Sequence, residues 1–379
     1  MDQPHTPLTL RTLLTERQYA AFTAAWAELR GGLAPGSGSH SGGALGDGRS
    51  GESLPGCALR GESLTSPDAV RVRDLSWPER ESTVLHLSGP GVSWILKTAG
   101  NTAYSVGREA RARAWTGPLE ARGTVARLLW YDDAAPLAIL DYLPGCDVLG
   151  SPWELSPRVH YQAGAALALL HGAGARLDHG FAKGALTRTR ARIAEIRALA
   201  PGGALPADFT GGPPPATSPE GILPAAFDEK LAEAEDFLAS YQPGSVVVHP
   251  THGDWQARNW LWDEPVGKLR VIDFGRFGWR PAAADFLELH ELWQAHPELD
   301  EAAARGYREA GGNWPAGSEV GTGSGKPSNG SGKPSNGSGE REANGGSDIG
   351  RLLRVARDVG HMWHRATTAR RIAGAPAAR

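Results

Sequence analysis

Apolar positions recur along this chain with two different periods. Over 8–30, Leu14, Tyr19, Phe22, Trp26 and Leu29 return at helical spacing and predict a helix. From about residue 69 the period shortens to two. "AVRVRDLSW" and "STVLHLSG" alternate on either side of "PERE" as in a hairpin, and "VSWILKTAG" follows as a third strand. "TAYSVGREARARAWTGPL" then reads as helical, and "VARLLWYDD" and "PLAILDYLPG" as two further strands. Five strands with one helix after the third predict a small α+β lobe over 65–143, closed by Pro144 and Gly145.

Helical periodicity dominates the second half. "PRVHYQAGAALALLHGAGA" and "AAFDEKLAEAEDFLASY" predict helices joined by a loop-rich connection, and "AAADFLELHELWQAHP" and "DEAAARGYREAG" predict two more. Two short strand-like runs, "SVVVHP" and "KLRVIDFG", interrupt this pattern, so 144–320 is expected to be a larger, mainly helical lobe. Beyond it, Leu352, Val355, Val359, Met362 and Ala366 predict a C-terminal helix over 349–379 packed on that lobe. Arg351, Arg354, Arg357 and Arg365 form its opposite face, expected to be solvated.

Two tracts carry no periodicity. Residues 31–64 are rich in glycine and serine, and 321–348 contain GSGKPSN twice in tandem. Each imitates a phosphate loop and fails. Ser41 stands where G-x-G-x-x-G needs its last glycine, and a proline follows Lys326 and Lys333 where a P-loop needs a hydroxyl. Both are expected to be disordered linkers.

Composition narrows the function classes. A net charge of −3 gives no field to attract nucleic acid or an anionic membrane. Two cysteines, Cys57 and Cys146, make no disulfide framework, and no basic segment precedes an apolar run at the start. The expectation is a cytoplasmic protein, monomer or homodimer, without nucleic-acid or membrane partners. The chain has six lysines against 33 arginines, so a lysine inside an apolar strand stands out. Lys97, at the end of "VSWILK", is that lysine.

An acid stands where such a lysine needs a partner: Glu109, twelve residues on, in the following helix. Lys97 either snorkels into solvent at its strand end or pairs with Glu109 across strand and helix, the device that points an ammonium at nucleotide phosphates. Phosphoryl transfer also needs Mg²⁺ ligands and a carboxylate at the acceptor hydroxyl. "THGDWQARNW" offers Asp254 as that carboxylate, after Gly253, which is free to take φ > 0. Asn259, five residues later, offers a hard oxygen for Mg²⁺. In "KLRVIDFG" the apolar run ends on Asp273, an acid that burial penalises unless it is paired or bound to a cation. Two readings of 251–260 stand on these residues: a catalytic loop, or a polar loop tied by its own side-chain bonds.

In this order and spacing the motifs resemble the aminoglycoside phosphotransferase family, small-molecule kinases of the protein-kinase-like fold. "THGDWQARNW" resembles the family's His-Gly-Asp-x-x-x-x-Asn loop, "VIDFG" its metal segment, "ILK" with Glu109 its lysine–glutamate pair, and "LAILDYLPG" its hinge. The resemblance spans about 65–315 and the final helix. It implies a bilobal α+β fold and transfer of the γ-phosphate of ATP or GTP, with Mg²⁺, to a hydroxyl of a small molecule. Asp254 would orient or deprotonate that hydroxyl, and Asn259 and Asp273 would hold the metal. Lys97, held by Glu109, would contact the α/β-phosphates, and the backbone of Asp141, Tyr142 and Leu143 would receive the purine. His252 would hold the turn and Asp285 would brace the loop, while His171 in "LLHG" serves helix packing. The turn "SWPERESTV" lacks the glycines of a protein-kinase phosphate loop, so Ser82 and Thr83 become its candidate phosphate contacts. Arg258 has two readings, a cation at the transferred phosphate or a salt bridge within the loop. Acceptors known in the family range from antibiotics to choline, homoserine and sugars. The acids Asp285, Glu288, Glu291, Glu298, Asp300 and Glu301 would line a cationic acceptor's pocket, or are solvated helix faces.

Two other classes compete. A pseudokinase would lack a catalytic part, and Lys97, Glu109, Asp254, Asn259 and Asp273 are all present. A metallohydrolase built on His249, His252, Asp254 and His290 has Pro250 inside its histidine pair and a spacing that matches no standard site.

Overall fold

A computed structural model describes residues 9–31, 66–76, 82–99, 106–199, 224–314 and 340–372. The insert expected at 31–64 and both GSGKPSN units lie outside them, Gly31 excepted. The chain divides into two compact units, Met1–Glu154 with Ala257–Phe277, and Leu155–Gln256 with Gly278–Arg379.

The first unit begins with α1 (Leu10–Leu13) and α2 (Glu16–Gly31) where one helix is expected. The break falls at Thr15, whose hydroxyl accepts from Gln18 N–H at 3.3 Å while Gln18 Oε1 accepts from Thr15 N–H at 3.1 Å. This reciprocal cap starts a new helix. Strands β1 (Arg71–Asp74), β2 (Ser82–Gly89) and β3 (Val92–Ala99) follow. Helices α3 (Val106–Ala112) and α4 (Gly117–Ala121) come next, then β4 (Leu128–Asp132) and β5 (Leu137–Asp141). The second helix has no forerunner in the pattern, and Pro118 in its first turn explains the restart. The five strands form one antiparallel sheet, in the order β1-β2-β3-β5-β4. Leu85, Leu87, Trp94, Leu96, Leu137 and Ile139 bury one face against Phe22 and Trp26 of α2. On the other, Ala138 and Leu140 pack with Val106 of α3 and Ala126. A two-residue strand, β6 (Cys146–Asp147), ends this stretch.

The second unit opens with α5 (Pro157–Gly172), β7 (Arg176–Asp178), α6 (Phe181–Leu199), α7 (Pro224–Ser240) and β8 (Val246–Thr251). The chain then re-enters the first unit as a hairpin, β9 (Trp260–Asp263) and β10 (Lys268–Val271). β9 pairs with β6, and Val271 bridges Val125, its N–H donating to Thr124 at 2.8 Å. These long-range pairings lie within the first unit. Finally the second unit adds β11 (Gly278–Arg280), α8 (Ala283–Phe286), α9 (His290–Ala295), α10 (Pro297–Glu309) and α11 (Glu340–Ile372).

Within the second unit α10 lies on α5 so closely that a methyl on Gly306 would strike the carbonyl of Tyr161. α11 buries Leu352, Val359 and Met362 in a core with Ile193, Leu231 and Leu238. It starts at Glu340, inside the tract expected as linker to 348, where "EREA" is helix-favouring. Its arginine face is not simply solvated: Arg357 donates to Leu287 O and pairs with Glu291, and Arg351 lies over the Phe237 ring at 4.5 Å. Among the described residues no helix is long and apolar enough to cross a membrane.

Candidate active site

Strand alternation puts Lys97 on the α3 side of the sheet, opposite Val84 and Ala138. The side chain is buried, and Nζ donates to Glu109 Oε2 at 3.1 Å with Asp273 Oδ1 at 3.8 Å. Burial alone would lower the ammonium's pKa, but Glu109 and Asp273 outweigh it and hold it above the ordinary value. The result is a fixed buried cation. Glu109 comes from the first turn of α3, and its other oxygen, Oε1, accepts from Arg113 at 2.6 Å.

Ser82 and Thr83 separate at the start of β2. The register pairs Thr83 with Thr98 and Val84 with Lys97, so Ser82 shares the lysine's face and Thr83 points to the other. On the Lys97 face the sheet therefore presents the Ser82 side chain and not that of Thr83. The hinge narrows in a similar way. Asp141 N–H donates to Arg127 O and Tyr142 N–H to Ser93 O, both at 3.1 Å, so these two amides are already engaged within the protein. The Asp141 carboxylate accepts from Arg127 Nε at 2.6 Å, and the Tyr142 ring stacks on His86 at 4.0 Å.

The β9–β10 hairpin gathers the two expected metal ligands. Trp260 pairs with Val271, and one step outward Ile272 N–H donates to Asn259 O at 3.0 Å. Asn259 therefore sits beside the residue that precedes Asp273. Asp273 has φ 65°, the one positive φ outside glycine among the described residues. That conformation costs a non-glycine residue about 1 kcal/mol, and Asp tolerates it better than most. Its Oδ1 accepts from Gly275 N–H at 3.3 Å, and Phe274 beside it is fully buried. A carboxamide oxygen and a carboxylate at one hairpin end are hard donors of the kind Mg²⁺ takes when phosphates and water fill its other positions. Arg258 lies half-buried in the turn Ala257–Asn259.

In the second unit, Gly253 has φ 80°, which a side chain would oppose, and Asp254 beyond it is 2% exposed. Asp285, from α8, accepts His252 N–H at 2.8 Å on Oδ2 and Gly253 N–H at 2.7 Å on Oδ1. His171 Nε2 lies 3.2 Å from Oδ2, and its Nδ1 lies 2.8 Å from the Tyr307 hydroxyl. Both bonds are satisfied when Nε2–H donates to the carboxylate and the Tyr307 O–H donates to Nδ1. Burial alone would raise the Asp285 pKa, yet His171, His252 and the Gly253 N–H hold it below its ordinary value. Gln256 Nε2 donates to Asp254 Oδ1 at 3.2 Å and to Glu288 Oε2 at 2.8 Å. His252 is fully buried, its ring edge-on to Trp255 at 5.4 Å.

Asp285 is thus committed to the loop and withdrawn from any acceptor pocket, while Glu291, Glu298 and Glu301 are exposed on helices. The metallohydrolase set does not converge. His249 Nδ1 faces the carbonyls of His171 and Gly174 at 3.1 and 3.2 Å, and no three His, Cys, Asp or Glu among the described residues group to hold a metal.

Residues 73–320 match the profile of the phosphotransferase enzyme family, APH. The chain belongs to this family. It is a phosphotransferase of α+β fold. No curated protein matches it in sequence. Among solved structures it is similar to a choline/ethanolamine kinase family protein from Mesorhizobium loti, at 16% identity over 82% of each chain and a TM-score of 0.48. A macrolide 2'-phosphotransferase from Brachybacterium faecium gives 17% identity over 83% of this chain and 95% of that one, with a TM-score of 0.46. A choline kinase from Streptococcus pneumoniae gives 14% over 82% and 88%, with a TM-score of 0.43.

Four residues of this phosphotransferase enter these networks without being singled out as functional by the sequence: Arg113 in the first unit, and His171, Gln256 and Tyr307 in the second. Arg113 sits four residues after Glu109 and Gln256 two after Asp254, spacings that permit contact without requiring it. His171 meets Asp285, and Tyr307 meets His171, only through tertiary packing. Asp285→Asn is expected to cost about 3 kcal/mol, since an amide N–H₂ would face a buried donor or the buried imidazole. Because the Asp285 pKa is depressed in the fold, its contribution is fully present above the unfolded value and disappears as pH falls through the folded one. Urea melts of both proteins should show a constant gap at neutral pH that shrinks only below about pH 4.

Proposed function

We propose that this phosphotransferase transfers the γ-phosphoryl group of ATP or GTP, with Mg²⁺, to a hydroxyl of a small natural product, an antibiotic by preference. The observation that carries the reading is Lys97, a buried ammonium 3.1 Å from Glu109 and 3.8 Å from Asp273. A cation so held has little purpose in packing and a direct one in binding phosphate oxygens. Leu143 N–H would receive the purine, and Ser82 would approach the phosphates from the lysine's face of the sheet. Asn259 and Asp273 would hold Mg²⁺, which when bound neutralises charge on the phosphates and keeps them in line with the acceptor.

Asp254 would accept the proton of the acceptor hydroxyl, its carboxylate steadied at Oδ1 by Gln256. His252 would act through the loop rather than on substrate, and Asp285 would fix that loop by its two backbone bonds. Arg258, between the carboxylate and the metal ligand in sequence, would offset charge on the transferring group.

The test is ADP and GDP release in the presence of Mg²⁺ with a panel of aminoglycoside, macrolide, peptide and nucleoside antibiotics, choline and homoserine. Release that requires both an antibiotic and Mg²⁺ is expected. Turnover with choline or homoserine and with no antibiotic would overturn the acceptor class, and no turnover with any nucleotide would overturn the reading itself.

A further inference from the structure

Arg113 has no part in the transfer chemistry proposed above, yet it joins the groups that chemistry needs. Its NH2 donates to Glu109 Oε1 at 2.6 Å and its NH1 to Ala126 O at 2.9 Å, and its guanidinium carbon lies 5.1 Å from the centroid of the Phe274 ring. The side chain is 10% exposed. Three segments therefore meet at one guanidinium: α3, the approach to β4, and the turn that begins at Asp273. A planar fork with two donating edges and a flat cationic face suits that task, and lysine has no equivalent geometry. Arg113 Nε is buried and meets no acceptor among the described residues, a penalty that an apolar side chain of similar size would not carry.

We propose that Arg113 is a positioning residue for the nucleotide. It holds Glu109 by the oxygen opposite to the one Lys97 uses, holds Phe274 by its ring, and so fixes the Lys97 ammonium relative to the Asp273 carboxylate. The proposal rests on the nucleotide-binding reading of Lys97 and Asp273. Without the guanidinium, Glu109 loses the 2.6 Å bond that braces Oε1, and its hold on the Lys97 ammonium beside Asp273 slackens. Phe274 loses its cationic cover, and the left-handed backbone at Asp273 is freed to relax. Charge acts in the same direction. Lys97 and Arg113 balance Glu109 and Asp273, and removing Arg113 leaves an excess negative charge where anionic phosphates are to bind.

The experiment compares Arg113→Met, Arg113→Lys and Phe274→Leu with wild type, reading ADP affinity by calorimetric titration with and without Mg²⁺, melting temperature, and the KM of nucleotide and acceptor. Arg113→Met is expected to weaken Mg-ADP binding and raise nucleotide KM about tenfold, with acceptor KM unchanged. Arg113→Lys should recover part of that loss, because the charge beside Glu109 returns while the second bond and the flat face do not. Phe274→Leu should show part of the loss, and combining it with Arg113→Met should add less than the two effects summed. A folded Arg113→Met protein that binds Mg-ADP as tightly as wild type overturns the proposal, even if its melting temperature has fallen. Should Arg113→Met not fold, wild-type affinity in both Arg113→Lys and Phe274→Leu overturns it equally. Failure of wild type to bind Mg-ADP or Mg-GDP would instead remove the nucleotide reading beneath it.

Discussion

Asp254→Asn is expected to lower kcat by about 10³-fold or more while leaving the fold and nucleotide affinity intact, within the range by which a positioned acid or base accelerates proton transfer. The substitution keeps the shape of the side chain. The amide oxygen can still accept from Gln256, as Oδ1 does at 3.2 Å, and the loop keeps its two bonds to Asp285. What is lost is the charge that, in the proposed reaction, would receive the hydroxyl proton. Lys97 keeps its contacts with Glu109 and Asp273, so ADP should bind as in wild type. Steady-state kinetics and an ADP titration check this together. A fall in kcat of less than about tenfold would move the acceptor's partner to another residue.

Lys97→Met has a different signature, because it removes the cation from between two carboxylates. Glu109 keeps Arg113 at 2.6 Å, whereas Asp273 loses the ammonium at 3.8 Å. The stability cost is therefore expected at the low end for breaking a buried ion pair, about 3 kcal/mol. Nucleotide binding should weaken at least about tenfold from the lost phosphate contact alone, and kcat should fall with it. Urea denaturation and ADP titration separate the two effects. A destabilised protein with unchanged ADP affinity would show Lys97 to be a structural cation and nothing more.

Much of the candidate site was legible because its parts lie in short local patterns. Lys97 stood out by rarity and by its place in an alternating strand, and Asp273 by closing an apolar run. The five strands of the first sheet were visible in their alternation. Their order was not, since β5 inserts beside β3 through pairings such as Leu96 with Ile139, which no local window contains. The same limit hides the pairings of 257–277 with Thr124, Val125 and Cys146, which no local window contains. α6 also escaped the pattern. Its buried positions include Ala182, Ala185 and Thr189, residues too small or too polar to contrast with the arginines between them.

Arg113 marks the other boundary of what sequence carries. A Glu and an Arg four apart on a helix are neighbours, but nothing local says whether they face water or a buried lysine. Only with α3 laid on the sheet does the pair become part of a site. Thr83 shows the opposite limit. It is adjacent to Ser82 in sequence, and the strand's period of two sends it to the other face.

The most direct test of the whole account is the mass of the acceptor after incubation with Mg-ATP and either wild type or Asp254→Asn. Wild type should yield an acceptor heavier by one phosphoryl group, in step with ADP formed, and the variant should yield almost none. Equal product from both proteins, or ADP formed by wild type with no change in the mass of any acceptor, would contradict it.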